Sequence, residues 1–180
     1  MTSSLDISAP LSMVNTIKNS IKMRQVAFLA ANGVNGISLN NMKEQLQKAG
    51  AVVKIIAPKL GAIKTDSRNT VYADQSFLTA TSVCFDAVFI PGGEKSIAIL
   101  INESRAIHFI MEAYQHCKAI GCENEGIKLL QGICSTKNNT ETRIHNPSKG
   151  IVANGNVKEF IKAIAQHRFW NYEKERMIPA

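Results

Sequence analysis

The amino-acid sequence predicts a three-layer α/β sandwich around a mostly parallel central sheet, and three observations carry that prediction. Near-continuous apolar runs of strand length recur at RQVAFLAA (24–31), AVVKIIA (51–57), FDAVFI (85–90) and KAIGC (118–122). Strands buried on both faces read this way. Segments with apolar residues at helical spacing lie between these runs, and turns rich in glycine or proline separate the two kinds of segment.

Taken in order, residues 1–23 form a polar, Ser-rich lead with an apolar patch at Leu11, Met13 and Val14, expected to be a linker or arm lying on another surface. The domain proper is expected over 24–168. Its first strand, Arg24 to Ala31, is broken by Asn32-Gly33-Val34-Asn35-Gly36. Leu39, Met42, Leu46 and Ala49 then repeat at helical spacing until Gly50 stops the helix. Ala51 to Ala57 is the second strand and completes a βαβ unit, whose crossover is expected to be right-handed. Between Leu60 and Leu78 the stretch IKTDSRNTVYADQSF predicts a small hairpin or extension beside the main sheet.

FDAVFIPGG, Phe85 to Gly93, is a third strand, and Ile107, Ile110, Met111 and Tyr114 mark the stripe of another helix. Residues 118–122 form the next strand, and Ile127, Leu129 and Leu130 open a helix after Gly126. NNTETRIHNPSKG (138–150) predicts an exposed loop or an irregular strand pair. Val157, Phe160, Ile161 and Ile164 give a last amphipathic helix, and 169–180 is a tail with Phe169, Trp170, Tyr172 and Ile178. Strands and helices alternating at these lengths make the sandwich flavodoxin-like. The apolar patch of the lead and Phe169, Trp170 and Ile178 of the tail are candidate contact surfaces, since apolar groups outside a core usually find a partner.

Composition narrows the function classes. A chain of 180 residues buries ~70% of its unfolded surface, enough for one core without staples. Its hydrophobic share of 45% and charged share of 19% are those of an ordinary globular domain. No apolar run reaches the length of a bilayer span, and no basic segment followed by an apolar stretch opens the chain, so a cytoplasmic protein is expected. The net charge of +7 raises a nucleic-acid reading. Against it, Lys43, Lys48, Lys54, Lys59, Lys64 and Arg68 are spread out, mixed with Glu44 and Asp66, and no aromatic platform interleaves them. Neither nucleic acid nor membrane is an expected partner.

The cysteines, Cys84, Cys117, Cys122 and Cys134, lack framework spacing and are expected to be reduced. Cys117 and Cys122 with His116 lack a fourth metal ligand, so packing thiols are expected and no metal. Asn138-Asn139-Thr140 fits a glycosylation triplet that has no role without secretion. His116 and His167 fall at helix ends, where a cation suits the dipole.

Two motifs sit where chemistry would be. The loop after the first strand offers Gly33 and Gly36 but no Gly-x-Gly-x-x-Gly, which argues against a Rossmann cofactor. Pro91-Gly92-Gly93 lets backbone N–H groups at Gly92 and Gly93 face the crevice where sheets of this class bind ligands; a turn needing positive φ explains it equally. In KAIGCENEGIKLL (118–130) a strand runs through a tight turn into a helix, the arrangement that raises a nucleophile above a parallel sheet. Such a turn lowers the pKa of a thiol placed on it. No histidine directly follows, so the usual activating base is missing.

The order strand, Asn-Gly loop, helix, FDAVFIPGG, helix, and strand into elbow resembles the PfpI-like branch of the class I glutamine amidotransferase-like superfamily over residues 24–131. In that branch the elbow reads like Ala-x-Ile-Cys-His-Gly, so the resemblance puts Asn124 at the nucleophile, Glu125 at the histidine, and Asn35 at the acid after the first strand. Amides neither attack a carbonyl nor take a proton, so no catalytic residue is expected. Cys122, two residues before Asn124 and inside the strand, is the fallback nucleophile.

Closer still, RQVAFLAANGVNG, GAVVKIIAPKLG, FDAVFIPGGEKS, MEAYQHCKAIGCENEG and AQHRFWNYEKERMIPA are similar to the C-terminal domain of large-subunit catalases, and LSMVNTIKNSIKMRQVA is similar to the linker before it. The resemblance implies a non-catalytic accessory domain of a haem catalase that detoxifies hydrogen peroxide. Haem and its ligands would belong to a core absent from these residues, with no cofactor in this domain. Implied partners are the catalase core and neighbouring subunits of a homotetramer; a chaperone-like hold on unfolding client proteins has been proposed for such domains. Two other readings remain: a small PfpI-like hydrolase, glyoxalase or deglycase using Cys122, and a flavin-binding module.

Overall fold

The computed structural model describes residues 19–134 and 149–170. Leu11, Met13, Val14, Tyr172, Ile178, the Asn138 triplet and most of the 138–150 stretch lie outside the described residues.

Six parallel strands form the main sheet in the order β5-β2-β1-β6-β7-β8. They are β1 (Gln25–Leu29), β2 (Val52–Ala57), β5 (Gln75–Ser76), β6 (Ala87–Ile90), β7 (Ala119–Cys122) and β8 (Ile151–Val152). Antiparallel β3 (Gly61–Lys64) and β4 (Thr70–Ala73) make the separate hairpin expected between 60 and 78. The helices are α1 (Gly36–Lys48), α2 (Glu94–Ile101), α3 (Ser104–Gln115), α4 (Gly126–Cys134) and α5 (Val157–Gln166).

The strand period of two divides the core into two layers. Val26, Phe28, Val53, Ile55, Ala87, Phe89 and Ala119 face α1 and α5. Ala27, Leu29, Ile56, Val88, Ile90, Ile120 and Cys122 face α2, α3 and α4. Both faces of every central strand are therefore covered, which is why these segments read as unbroken apolar runs. On the first face Phe89 packs against Phe28 and Phe160, ring centroids 4.9 and 5.7 Å away. That packing needs Gly121: a Cβ there would lie 2.9 Å from both the Phe160 and Phe89 rings.

The structure departs from the sequence expectation in four places. The strands are shorter than their apolar runs, because the flanking apolar residues continue into buried loops. A separate helix, α2, follows Gly93; its eight residues are too few for a stripe to stand out before the longer pattern of α3. The two-residue β8 is below the length at which alternation shows. Finally, Ile21 and Phe169, assigned to the arm and the tail, are core residues. Phe169 is 2% exposed and its ring occupies the space that a side chain at Gly150 would need.

A polar latch closes the amino-terminal end of the sheet. Asp86, just before β6, accepts hydrogen bonds from Arg24 Nη1 at 3.1 Å and from Gln25 N at 2.8 Å, and lies 3.1 Å from His167 Nε2. Arg168 Nη1 donates to the Asp86 carbonyl at 3.4 Å. Beside it Lys118, 2% exposed, donates to the carbonyl and, at 3.1 Å, to the hydroxyl of Ser82. Burial, then the nearby charge of Arg168, brings the Lys118 ammonium down to about 8.

For Asp86, burial alone would raise the carboxyl; the His167 and Gln25 hydrogen bonds and the Arg24 charge outweigh it and bring the group down to about 2. Because this folded value lies below the unfolded 3.8, the stabilisation is complete above pH 3.8 and is lost as pH falls from there towards 2. Asp86→Asn is expected to lower stability at pH 7 by about 2 kcal/mol and to flatten acid unfolding in that window, as urea titrations across the pH range would record.

Candidate functional site

The order of strands makes β1 and β6 neighbours and carries the chain away from them in opposite directions. Sheets of this class leave a crevice at such a switch point, outside the carboxyl ends of the strands. Three loops meet there: the one after β1 carrying Asn35, the one after β6 carrying Gly92 and Gly93, and the one after β7 carrying Glu123, Asn124 and Glu125.

The first two loops touch through their backbones. Asn35 N donates to the Gly92 carbonyl at 2.8 Å. Gly93 has φ 121°, and a Cβ on it would fall 2.4 Å from the Gly33 carbonyl oxygen. Only glycine fits this position, on conformation and on space. The Asn35 side chain turns to α1, where it caps the helix by accepting from Ser38 N at 2.8 Å.

The third loop is an elbow. Glu123 N extends the β6 pairing by donating to the Ile90 carbonyl at 3.1 Å; Gly126 N then bonds back to Glu123 and Ile127 N to Asn124, starting α4. Asn124 sits at the apex with φ 47°, left-handed backbone that asparagine tolerates better than most residues. It packs over Gly92, where a Cβ would lie 3.2 Å from the Asn124 amide nitrogen. Glu125 Oε2 accepts from Gly93 N at 2.9 Å, and that N–H holds the carboxyl below the usual glutamate value. Glu123 accepts a hydrogen bond from the Ser38 hydroxyl.

The structure thus brings Asn35, Gly92, Gly93, Asn124 and Glu125 to one place. Glu123 and Ser38 complete it, and sequence reasoning missed both. Glu123 carried a signal, being the acid next to the apex, whereas nothing in the sequence says that a serine of α1 reaches it. The Gly93 N–H that would face a flavin phosphate is occupied by Glu125. The donor set is two amides and two hydrogen-bonded carboxylates, which supplies none of the axial ligands haem iron takes.

Three of the thiols lie elsewhere. Cys122 is 0% exposed in β7, under α4, and Cys117 is buried in the opposite core layer. Cys84 is exposed on a 3-10 turn (Ser82–Cys84) near the latch. Among the described residues no three His, Cys, Asp or Glu side chains are grouped to hold a metal ion, and no helix is long and apolar enough to cross a membrane.

Residues 22–173 match the domain described as the C-terminal domain found in long catalases. The chain belongs to this family. Curated relatives of this catalase C-terminal domain include Catalase HPII of Mycobacterium avium, 33% identical over 98% of the chain and 26% of the relative. Catalase-2 of Bacillus subtilis is 38% identical over 91% of the chain and 23% of the relative. The chain thus spans about a quarter of their length. Among solved structures, a ThiJ/PfpI family protein from Pseudomonas syringae superposes with TM-score 0.65 at 16% identity, over 97% of this chain and 80% of that one. A ThiJ/PfpI domain protein from Brachyspira murdochii gives 0.64 at 14%, over 83% and 98%. At such identities the likeness is one of fold, that of a flavodoxin-like sandwich.

The backbone of the elbow sets what position 124 accepts. Asn124→Gly is expected to leave stability within about 0.5 kcal/mol, whereas Asn124→Val, a β-branched residue in left-handed backbone, is expected to cost about 1–3 kcal/mol. Gly93→Ala should cost more than either, since its Cβ meets backbone. Urea unfolding of the three variants measures the order.

Proposed function

We propose that this chain is a non-catalytic accessory domain of a large-subunit haem catalase, the detoxification of hydrogen peroxide being carried out in a cytoplasmic parent enzyme whose core holds the haem. The observation that carries the reading is the family match over residues 22–173, joined to the chemistry at the elbow. Asn124 stands at its apex, and the neighbouring acids are engaged by Ser38 and Gly93. An amide at the apex has no lone pair nucleophilic enough to open a carbonyl, and Glu125 as a carboxylate held ionised is a poor proton donor. The buried Cys122 gives the cysteine-enzyme reading no support.

The work assigned to the domain is mechanical. It packs against the catalase core and neighbouring subunits of a homotetramer, adding buried surface that the unfolded chain lacks, and so raises the temperature at which the assembly comes apart. A chaperone-like hold on unfolding proteins is a second consequence of the same apolar surface.

Removing residues 22–173 from the parent is expected to lower its thermal inactivation temperature by several degrees while leaving peroxide turnover per haem unchanged. An equal inactivation temperature would refute the stabilising role. For the holding activity, light scattering of a heat-aggregating test enzyme is compared with the domain and with an inert protein of similar size; scattering equal to that with the inert protein would remove that part.

A further inference from the structure

The described chain enters and leaves the domain at the same end. Arg24 opens β1 and His167 and Arg168 follow α5, and both are gathered on Asp86. Two large apolar side chains stand in water beside this latch. Met23 is 73% exposed and held with φ 65°, and Val83 is 75% exposed on the turn that Lys118 anchors through Ser82. Lys22 and Arg24 flank Met23 in the chain and Lys118 anchors the turn that carries Val83; Lys22 is exposed, Arg24 and Arg168 are half-buried and Lys118 is buried. The carboxylate at their centre, Asp86, is already shared among Arg24, Gln25 N and His167. Asp86 and Glu112, the carboxylates that act on Lys118, do not balance Lys22, Arg24, Lys118 and Arg168, and the lowered values of Lys118 and Arg168, set first by burial, carry a contribution from the surplus: Arg168 acts on Lys118 and Arg24 on Arg168.

We propose that this amino-terminal end of the sheet, centred on Met23 and Val83, is the face that docks on the rest of the parent polypeptide, against a surface with an acidic rim and an apolar centre. The inference rests on the accessory-domain reading. Its second support is the length of chain outside the structure. About three-quarters of the curated relatives' length lies beyond the match, and the matched piece is their C-terminal domain, so the remainder joins at the Lys22 side. A tether raises the effective concentration of whatever it carries near its point of attachment. That face offers exposed apolar area ringed by one sign of charge, the composition of an interface with a small apolar core and a polar rim. Leu60 and Ile99 form a comparable exposed pair, but they border a shallow groove at the far, carboxyl end of the sheet beside the hairpin.

The test uses the full-length parent, native and assembled, and follows the rate at which trypsin releases the intact domain. The double substitution Met23→Asp with Val83→Asp is expected to speed release by at least about tenfold, and Leu60→Asp with Ile99→Asp to leave it unchanged. Release should also quicken with added salt, as contacts between exposed charges weaken. Equal effects of the two pairs, or none from the first, would overturn the assignment of the face. Indifference to salt would overturn the acidic partner. If the unaltered domain is released as fast as a bare tether is cut, the packed accessory domain itself is refuted, a result distinct from the other two. Survival of the released fragment in trypsin reports that a variant has folded. Should the aspartate pair fail that control, Met23→Ser with Val83→Ser replaces it under the same expectations.

Discussion

A strand whose side chains are all buried has to be covered twice, and β1 imposes that requirement on the rest of the chain. From Val26 to Ala30 no residue is exposed to solvent, so one helical layer cannot suffice. The chain first runs to one side of β1 through α1 and β2, then returns to its other side as β6, and each excursion leaves helices on a face. The switch point follows from this double winding and needs no separate instruction. So does the clustering of three loops outside the carboxyl ends of β1, β6 and β7. The crevice is a by-product of covering the central strand, which is why it persists whether or not anything reacts there.

Persistence of the elbow has a local cause as well. Its tight turn brings Gly126 against the Ile90 carbonyl, where a Cβ would lie 2.8 Å away, and lets Glu123 continue the pairing of β6 with β7. Glu125 supplies the Gly93 N–H with an acceptor that a ligand would otherwise provide. These contacts give the turn a structural value independent of catalysis. The backbone geometry therefore does not depend on a nucleophile at its apex, and a likeness of fold to PfpI-type proteins carries no activity by itself.

Much of this was legible in the residues. The four apolar runs located the central strands, and the glycine turns located the crevice, because burial on two faces and backbone approach leave direct marks in composition. The elbow was legible as a tight turn between the strand ending at Cys122 and the helix that Gly126 opens. What escaped notice depended on partners distant in sequence. Ser38 reaches Glu123 across 85 positions, and Asp86 gathers Arg24 and His167 from opposite ends of the domain. A charged residue in a polar stretch looks the same whether it faces water or closes a latch. Phe169 and Ile21 were misassigned for a related reason: an isolated apolar residue outside a periodic pattern carries no sign of whether it folds inward.

The Asp86 latch has a consequence for how such a domain is inherited. Since Arg24, just before β1, and His167, just after α5, meet on one carboxylate, the described fold begins and finishes at one spot and makes no demand on the span between attachment points in a host. A module of that shape can be appended to a chain, or moved between genes, without stretching either partner. The topology itself would serve many hosts.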